Sequence, residues 1–152
     1  MFRGVYIDVP PTTSNTLWQV LKCIGIEQYC WYNIENQNEV WVNFRCSDDF
    51  FTKEHYNGNE FEKLIHSDHY IIFLKLQAYF ESGEFFDIRT YEEFLSSDCQ
   101  ILLLINDTEF IEIYAKDQQI IHEIYNNALA IHCKDVSYID DSNDSRTKMH
   151  VI

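Results

Sequence analysis

Glycine and proline are nearly absent, four and two in 152 residues. That excludes collagen-like, linker and low-complexity chains. It also leaves no phosphate-cradling loop, and neither G-x-x-x-x-G-K-[ST] nor G-x-G-x-x-G occurs. Positive charge is scarce as well. Eleven Lys and Arg stand against 25 Asp and Glu, a formal net charge of −14, and the bases are scattered singly. A nucleic-acid footprint is therefore missing, and the field opposes phosphate backbones and anionic lipid alike. No long apolar run exists. Tyr70–Leu74 and Ile101–Ile105 fall far short of the roughly 20 residues that span a bilayer. Met1–Val5 lacks the charged and apolar regions of a signal peptide, so the expected location is the cytoplasm. There the cysteines, Cys23, Cys30, Cys46, Cys99 and Cys133, read as reduced thiols. Their number is odd, and none shares C-x-x-C spacing.

What the chain has is apolar and aromatic mass. Apolar residues make up 46%, with 11 Phe, 10 Tyr and 3 Trp. That is enough to offset chain entropy despite the charge. The length suits a single compact domain over 1–152, which hides roughly 70% of its unfolded surface. The acidity is uneven. Residues 1–46 carry four acids and three bases, whereas 47–146 carry twenty-one acids and seven bases. No linker divides the two regions.

Periodicity gives the elements. Arg3–Val9 alternates and stops at Pro10-Pro11, as a strand does. Leu17, Trp18, Leu21 and Ile24 predict a helix over 15–24, capped by Thr13 or Ser14. Tyr29–Ile34 and Glu39–Phe44 read as a hairpin about Glu35-Asn36-Gln37-Asn38. In its second arm Val40, Val42 and Phe44 share one face, and Trp41, Asn43 and Arg45 the other. Ser47–His55 suggests a short helix with Phe50 and Phe51 inward. Asn57-Gly58 is a turn signal, and 59–67 a short helix. His69–Tyr79 is a long strand suited to the centre of a sheet. Thr90 and Glu93 fit a capping box. Gln100–Ile105 and Glu109–Ala115 form the clearest hairpin, and Asp117 caps a helix burying Ile120, Ile121, Ile124 and Ala128. Val136–Ile139 and Thr147–Val151 are strands about an acidic loop. The expected fold is α+β: a mostly antiparallel or mixed sheet of about eight short strands with four or five helices packed on it.

Tyr70-Ile71-Ile72-Phe73-Leu74, the run Thr90–Cys99, Ile124-Tyr125-Asn126-Asn127-Ala128, Asn143–Thr147 and the opening Arg3-Gly4-Val5 resemble a small family from spore-forming bacteria, domain of unknown function 2691. The resemblance runs nearly end to end. It implies a single-domain cytoplasmic protein and no catalytic residues.

The chemistry-bearing groupings have plainer readings. His66-Ser67-Asp68-His69, with His122 and His132-Cys133, lacks the paired ligands of a structural zinc site, so no metal is expected. Asp140, Ser142 and Asp144 mimic the start of an EF-hand loop, but Ser145 stands where Gly is needed and Val151 where Glu is needed. No Cys–His signature and no cofactor motif appears, and no cofactor is expected. Asp48-Asp49 and Glu92-Glu93 are adjacent on the chain and suit helix starts. Exposed members of Trp31, Tyr32, Trp41, Tyr56, Tyr79 and Tyr91 would form a binding patch, although aromatics at this density belong more often to a core.

The functional expectation is a non-enzymatic acidic interaction module, an inhibitor, immunity-type or regulatory protein that docks on a basic protein partner. It binds neither nucleic acid directly nor membrane. The alternatives are a nucleic-acid mimic blocking a DNA- or RNA-binding enzyme, and an enzyme of unknown type. The residues singled out for the partner are Asp140, Asp141 and Asp144, whose charge exceeds what turning a loop requires, with Arg146 and Trp41. The plain alternative for that loop is solubility.

Overall fold

The computed structural model describes residues 1–10, 13–42 and 45–151, and for 45–48 the backbone alone. The elements in chain order are β1 (Gly4–Asp8), α1 (Thr16–Leu21), a 3-10 turn (Ile26–Gln28), β2 (Cys30–Val42), β3 (Arg45–Asp49), β4 (His55–Tyr56), α2 (Gly58–Ile65), β5 (Tyr70–Tyr79), α3 (Tyr91–Ser96), β6 (Cys99–Asn106), β7 (Phe110–Ala115), α4 (Gln118–Ala130) and β8 (Asp135–Ile139). Seven strands lie side by side in the order β3-β2-β5-β6-β7-β1-β8, and the two-residue β4 pairs with β2. Every pairing is antiparallel. Among the described residues the fold is α+β, with one antiparallel sheet and four α-helices.

The central strands read true because their local patterns are strong. β5 is buried on both faces between β2 and β6. β6 and β7 turn through Asp107 and Thr108, both with positive φ (48° and 71°), the backbone that a tight hairpin demands. α4 starts where Asp117 accepts the Gln119 amide, and it buries Ile121, Ile124 and Ala128.

Three segments depart from the expectation. Cys30–Val42 is not a hairpin but one strand of 13 residues. Glu35–Asn38 falls where its register against β5 shifts, with Asn36 at φ 65°. The polar turn residues make a bulge because β5 offers a partner along the whole length. Residues 45–49 form β3 rather than a helix, zipped to β2; Phe50 is buried after it and Phe51 half-buried. Thr147–Val151 joins no ladder. Of the two faces expected around Trp41, Val40 is buried, while Asn43 and Phe44 lie outside the described residues.

Asn57-Gly58 opens α2 instead of turning the chain. Asn57 accepts the Glu60 amide at 2.9 Å and Glu60 returns to the Asn57 amide, a complete capping box. Gly58 is required there, since a Cβ would meet the Glu27 carbonyl oxygen at 2.4 Å.

Two cores result. On one face Val5, Ile7, Leu74, Leu76, Ile101, Leu103, Ile111 and Ile113 meet α1, α2 and α4. Trp31 stacks on Phe61 there and donates to the Ile26 carbonyl at 3.0 Å. On the other face Tyr79, Leu102, Leu104 and Tyr114 meet Ile88, Phe94 and Met149.

α1 is capped from afar. Its N-cap Asn15 makes no side-chain cap, and neither Thr13 nor Ser14 supplies one. The Leu17 amide donates instead to His69 Nε2 at 3.1 Å, across 52 residues. An accepting Nε2 puts the ring proton on Nδ1, which lies 2.8 Å from the Ser67 carbonyl. Burial lowers the His69 pKa below its ordinary value. The unfolded chain therefore binds the proton first as pH falls below about 6.5. Stability is expected to be full above that pH and to fall progressively below it. His69→Gln is expected to remove this component from a denaturation series across pH 7 to pH 5 (about the range of an ordinary histidine); an unchanged slope would contradict the assignment.

Candidate functional site

The second face of the sheet carries most of the polar chemistry. Register sets two cross-strand rows: Lys75–Leu104–Glu112–Tyr6–Ser137, and Tyr32–Gln77–Leu102–Tyr114–Gly4–Ile139. Two irregular segments cover these rows, residues 80–90 and the tail 140–151.

The tail crosses the face. Arg146 forks onto Glu112 (Nε 3.1 Å, Nη2 2.5 Å from Oε1), and its Nη1 donates to the Lys148 and His150 carbonyls. Met149 N donates to Arg89 O, and Val151 N to Gln37 Oε1 on β2. Asp144, its side chain 2% exposed, accepts from Arg3 Nη1 at 3.1 Å and lies 3.2 Å from the Tyr114 hydroxyl. Burial and the carboxylates of Glu112 and Asp144 push the Tyr114 hydroxyl well above the ordinary tyrosine range. Between tail and sheet runs an open cleft of about 990 Å3, bordered by Tyr6, Glu112, Ser137, Tyr138, Lys148 and His150. His150 Nδ1 is buried there without a partner among the described residues.

The five residues singled out in the sequence are therefore not one patch. Asp144 and Arg146 are internal clamps. Asp140 closes its own loop, accepting from Ser142 N and Oγ and from Asn143 N, and these hydrogen bonds lower its pKa. Asp141, 86% exposed, pairs with Arg3 Nε at 2.8 Å. Two of the loop's three carboxylates are thus paired inside the chain, with an arginine 138 and 141 residues away in sequence. Trp41 sits on β2, second from the sheet edge opposite the β8 strand that launches the loop. It lines a separate polar hollow with Glu35, Glu39, Asp49 and Glu54. Its Nε1 is buried and unpartnered among the described residues.

Arg146→Ala is expected to cost about 2–3 kcal/mol, since it leaves Glu112 and two carbonyls without their donor. Hydrogen exchange should speed at the Met149 amide first. Arg146→Lys should not rescue it, because an ammonium cannot reproduce the fork.

Residues 80–90 are stitched down by side chains of β5. Lys75, fully buried, donates to Asp87 Oδ1 at 2.6 Å and to the Ile88 carbonyl; desolvation lowers its pKa against the opposing pull of Asp87. Gln77 donates to Phe86 O (2.8 Å) and accepts from Ile88 N (3.0 Å), taking the place of a strand partner. Phe80, Phe85 and Phe86 are left 48%, 37% and 43% exposed. A lone lysine inside the apolar run Tyr70–Leu76 is the signal in the sequence that marks this feature. Arg3, Glu112 and Tyr114 carry no such signal, since each becomes polar machinery only through distant partners.

The histidines and cysteines have structural surroundings. His66 stacks on Trp18, and His122 lies 2.8 Å from the Tyr138 hydroxyl. No grouping of three or more metal-ligating side chains occurs among the described residues. Cys23, Cys30, Cys99 and Cys133 are free thiols; the Cys46 side chain lies outside those described. Burial pushes the Cys99 thiol up to about 12 and Cys23 to about 11, the opposite of nucleophile activation. No helix among the described residues is long and apolar enough to cross a membrane.

The family model described as "Protein of unknown function (DUF2691)" matches residues 2–150. The chain belongs to the DUF2691 family. Among curated proteins, an uncharacterized protein of Bacillus subtilis (strain 168), YncE, is 35% identical over 154 residues, covering 99% of this chain and 100% of that one. No solved structure matches. The match spans both the sheet core and the tail that crosses it.

Proposed function

We propose that this DUF2691 member is a non-enzymatic interaction module that docks on a basic protein partner. The supporting observation is where its charge resides. Arg3, Lys53, Lys75, Lys134 and Arg146 are each tied to carboxylates of the same chain. Glu81, Glu84, Glu92, Asp98, Asp107, Asp117 and Asp135 are exposed, and none meets a cation among the described residues. Such a surface steers positive partners and raises their association rate more than their bare affinity.

Capture with the full chain from its native cell, followed by mass spectrometry, tests the reading. The expected result is one stoichiometric protein of basic isoelectric point, with an association rate that falls steeply as salt shortens the Debye length from about 10 Å. A partner with a salt-independent rate, or turnover of a small molecule by the purified chain, would overturn it. Asp141→Asn tests the acidic loop separately. It should leave stability within about 0.5 kcal/mol, so a loss of association rate is a surface effect.

A further inference from the structure

We infer that the hollow formed by Tyr32, His55 and Phe85 is a receptor for one arginine side chain of a protein partner; this rests on the docking reading above and names its anchor. The hollow has a volume of about 250 Å3, and its lining includes Tyr32, Asn33, Glu54, His55, Phe85 and Asp87.

Its aromatic part is a three-ring stack. Tyr32 lies near-parallel to His55 (4.6 Å, 12°) and to Phe85 (4.3 Å, 14°), and Tyr79 stands edge-on behind (5.4 Å from Tyr32). Its charged part is three carboxylates. Glu35 and Glu54 are exposed. Asp87 keeps its side chain 37% exposed while its Oδ1 holds Lys75. Lys75, fully buried, is engaged by Asp87, and Lys53, next to Glu54 in the chain, pairs with Glu60 at 2.7 Å.

The site is built on fixed elements. Asn33 N donates to the Glu54 carbonyl (3.1 Å) and Asn33 Nδ2 to the Lys53 carbonyl (2.7 Å). His55 pairs with Tyr32 across β4 and β2. Phe85 is held on both sides, by Glu84 N on Asp98 Oδ2 (2.9 Å) and by Phe86 O on Gln77 and Tyr79. Exposed His55 and partly exposed Phe85, stacked on either side of Tyr32 in a rigid frame, lie beside Glu35 and Glu54, which meet no cation among the described residues, and so suit a planar guanidinium. That group stacks on ring faces and forks to carboxylates, whereas an ammonium is more strongly hydrated and cannot stack.

The test uses NMR titration of the full chain with blocked tripeptides Gly-Arg-Gly, Gly-Lys-Gly and Gly-citrulline-Gly, and with guanidinium ion. The arginine peptide is expected to shift Tyr32, His55, Phe85 and Asp87 saturably, with at least tenfold weaker shifts for citrulline. Phe85→Leu, which keeps an apolar side chain but removes the ring, and Glu54→Gln should each weaken binding several-fold. Unchanged amide shifts elsewhere would certify the fold of each variant. Shifts spread without saturation over the acidic surface, equal binding by citrulline, full binding by Phe85→Leu, or guanidinium ion binding as tightly as the peptide would each overturn the assignment. Were a captured basic partner to bind Phe85→Leu and Glu54→Gln undiminished, this site would fall while the docking reading stood. Were no basic partner found although the arginine peptide saturated the hollow, the docking reading would fall, and with it the partner assigned to the site.

Discussion

Ile124→Ala is expected to cost about 2–5 kcal/mol, read as a lowered urea midpoint with an unchanged slope. Ile124 is 1% exposed in the larger core, where α4 lies over β1, β7 and β8. Deleting three heavy atoms there removes their transfer free energy and leaves a cavity that a sheet cannot close, because strand spacing is set by backbone hydrogen bonds. Ile120, on the same helix but only half-buried, should cost distinctly less when truncated. Equal losses at the two positions would mean that the helix is rotated from the face described.

Lys75→Ala is expected to cost about 3 kcal/mol, and Lys75→Met roughly half of that or less. Both variants remove the donor to Asp87 and the Ile88 carbonyl. Alanine also empties the volume of a fully buried stem on β5, which methionine fills. A buried ion pair is weak evidence of stabilisation in itself, since desolving the ammonium offsets much of the attraction. Asp87, 37% exposed, is left partly solvated when Lys75 goes, which holds the loss at the low end. Hydrogen exchange in either variant should quicken at the Ile88 amide. If Lys75→Ala left both the midpoint and that exchange unchanged, Lys75 would not be what holds residues 80–90 against the sheet.

Elements with dense local signals were legible along the chain. The β6–β7 turn carries Asn106-Asp107-Thr108, and Asp107 and Thr108 take the positive φ it needs. α4 has both its cap and its apolar stripe within one segment. Where the same residue types serve two geometries, local reading failed. Glu35–Asn38 has turn chemistry yet makes a bulge, because only the length of β5 opposite decides between a hairpin and a continued strand. The tail 147–151 alternates like a strand but joins no ladder: Arg146 occupies the carbonyls of Lys148 and His150, and Val151 N donates to the Gln37 side chain. The acidic loop gave no local sign of its ion pairs, because Arg3, the partner of Asp141 and Asp144, enters from the far end of the chain.

By itself the sequence determined the fold class, the central strands, the long amphipathic helix, the large excess of carboxylates and the family. The family rests on resemblance of whole motifs; the rest follows from composition and from periodicities that repeat within a few residues. Only the tertiary structure decided which carboxylates are internal clamps and which face solvent. Only it stacked Phe85, Tyr32 and His55, and only it gave α1 its cap from His69. The physical reason is that charge pairing, ring stacking and capping act over a few ångströms of space. They join residues that the antiparallel sheet brings together from opposite ends of the chain, and no local pattern encodes that register.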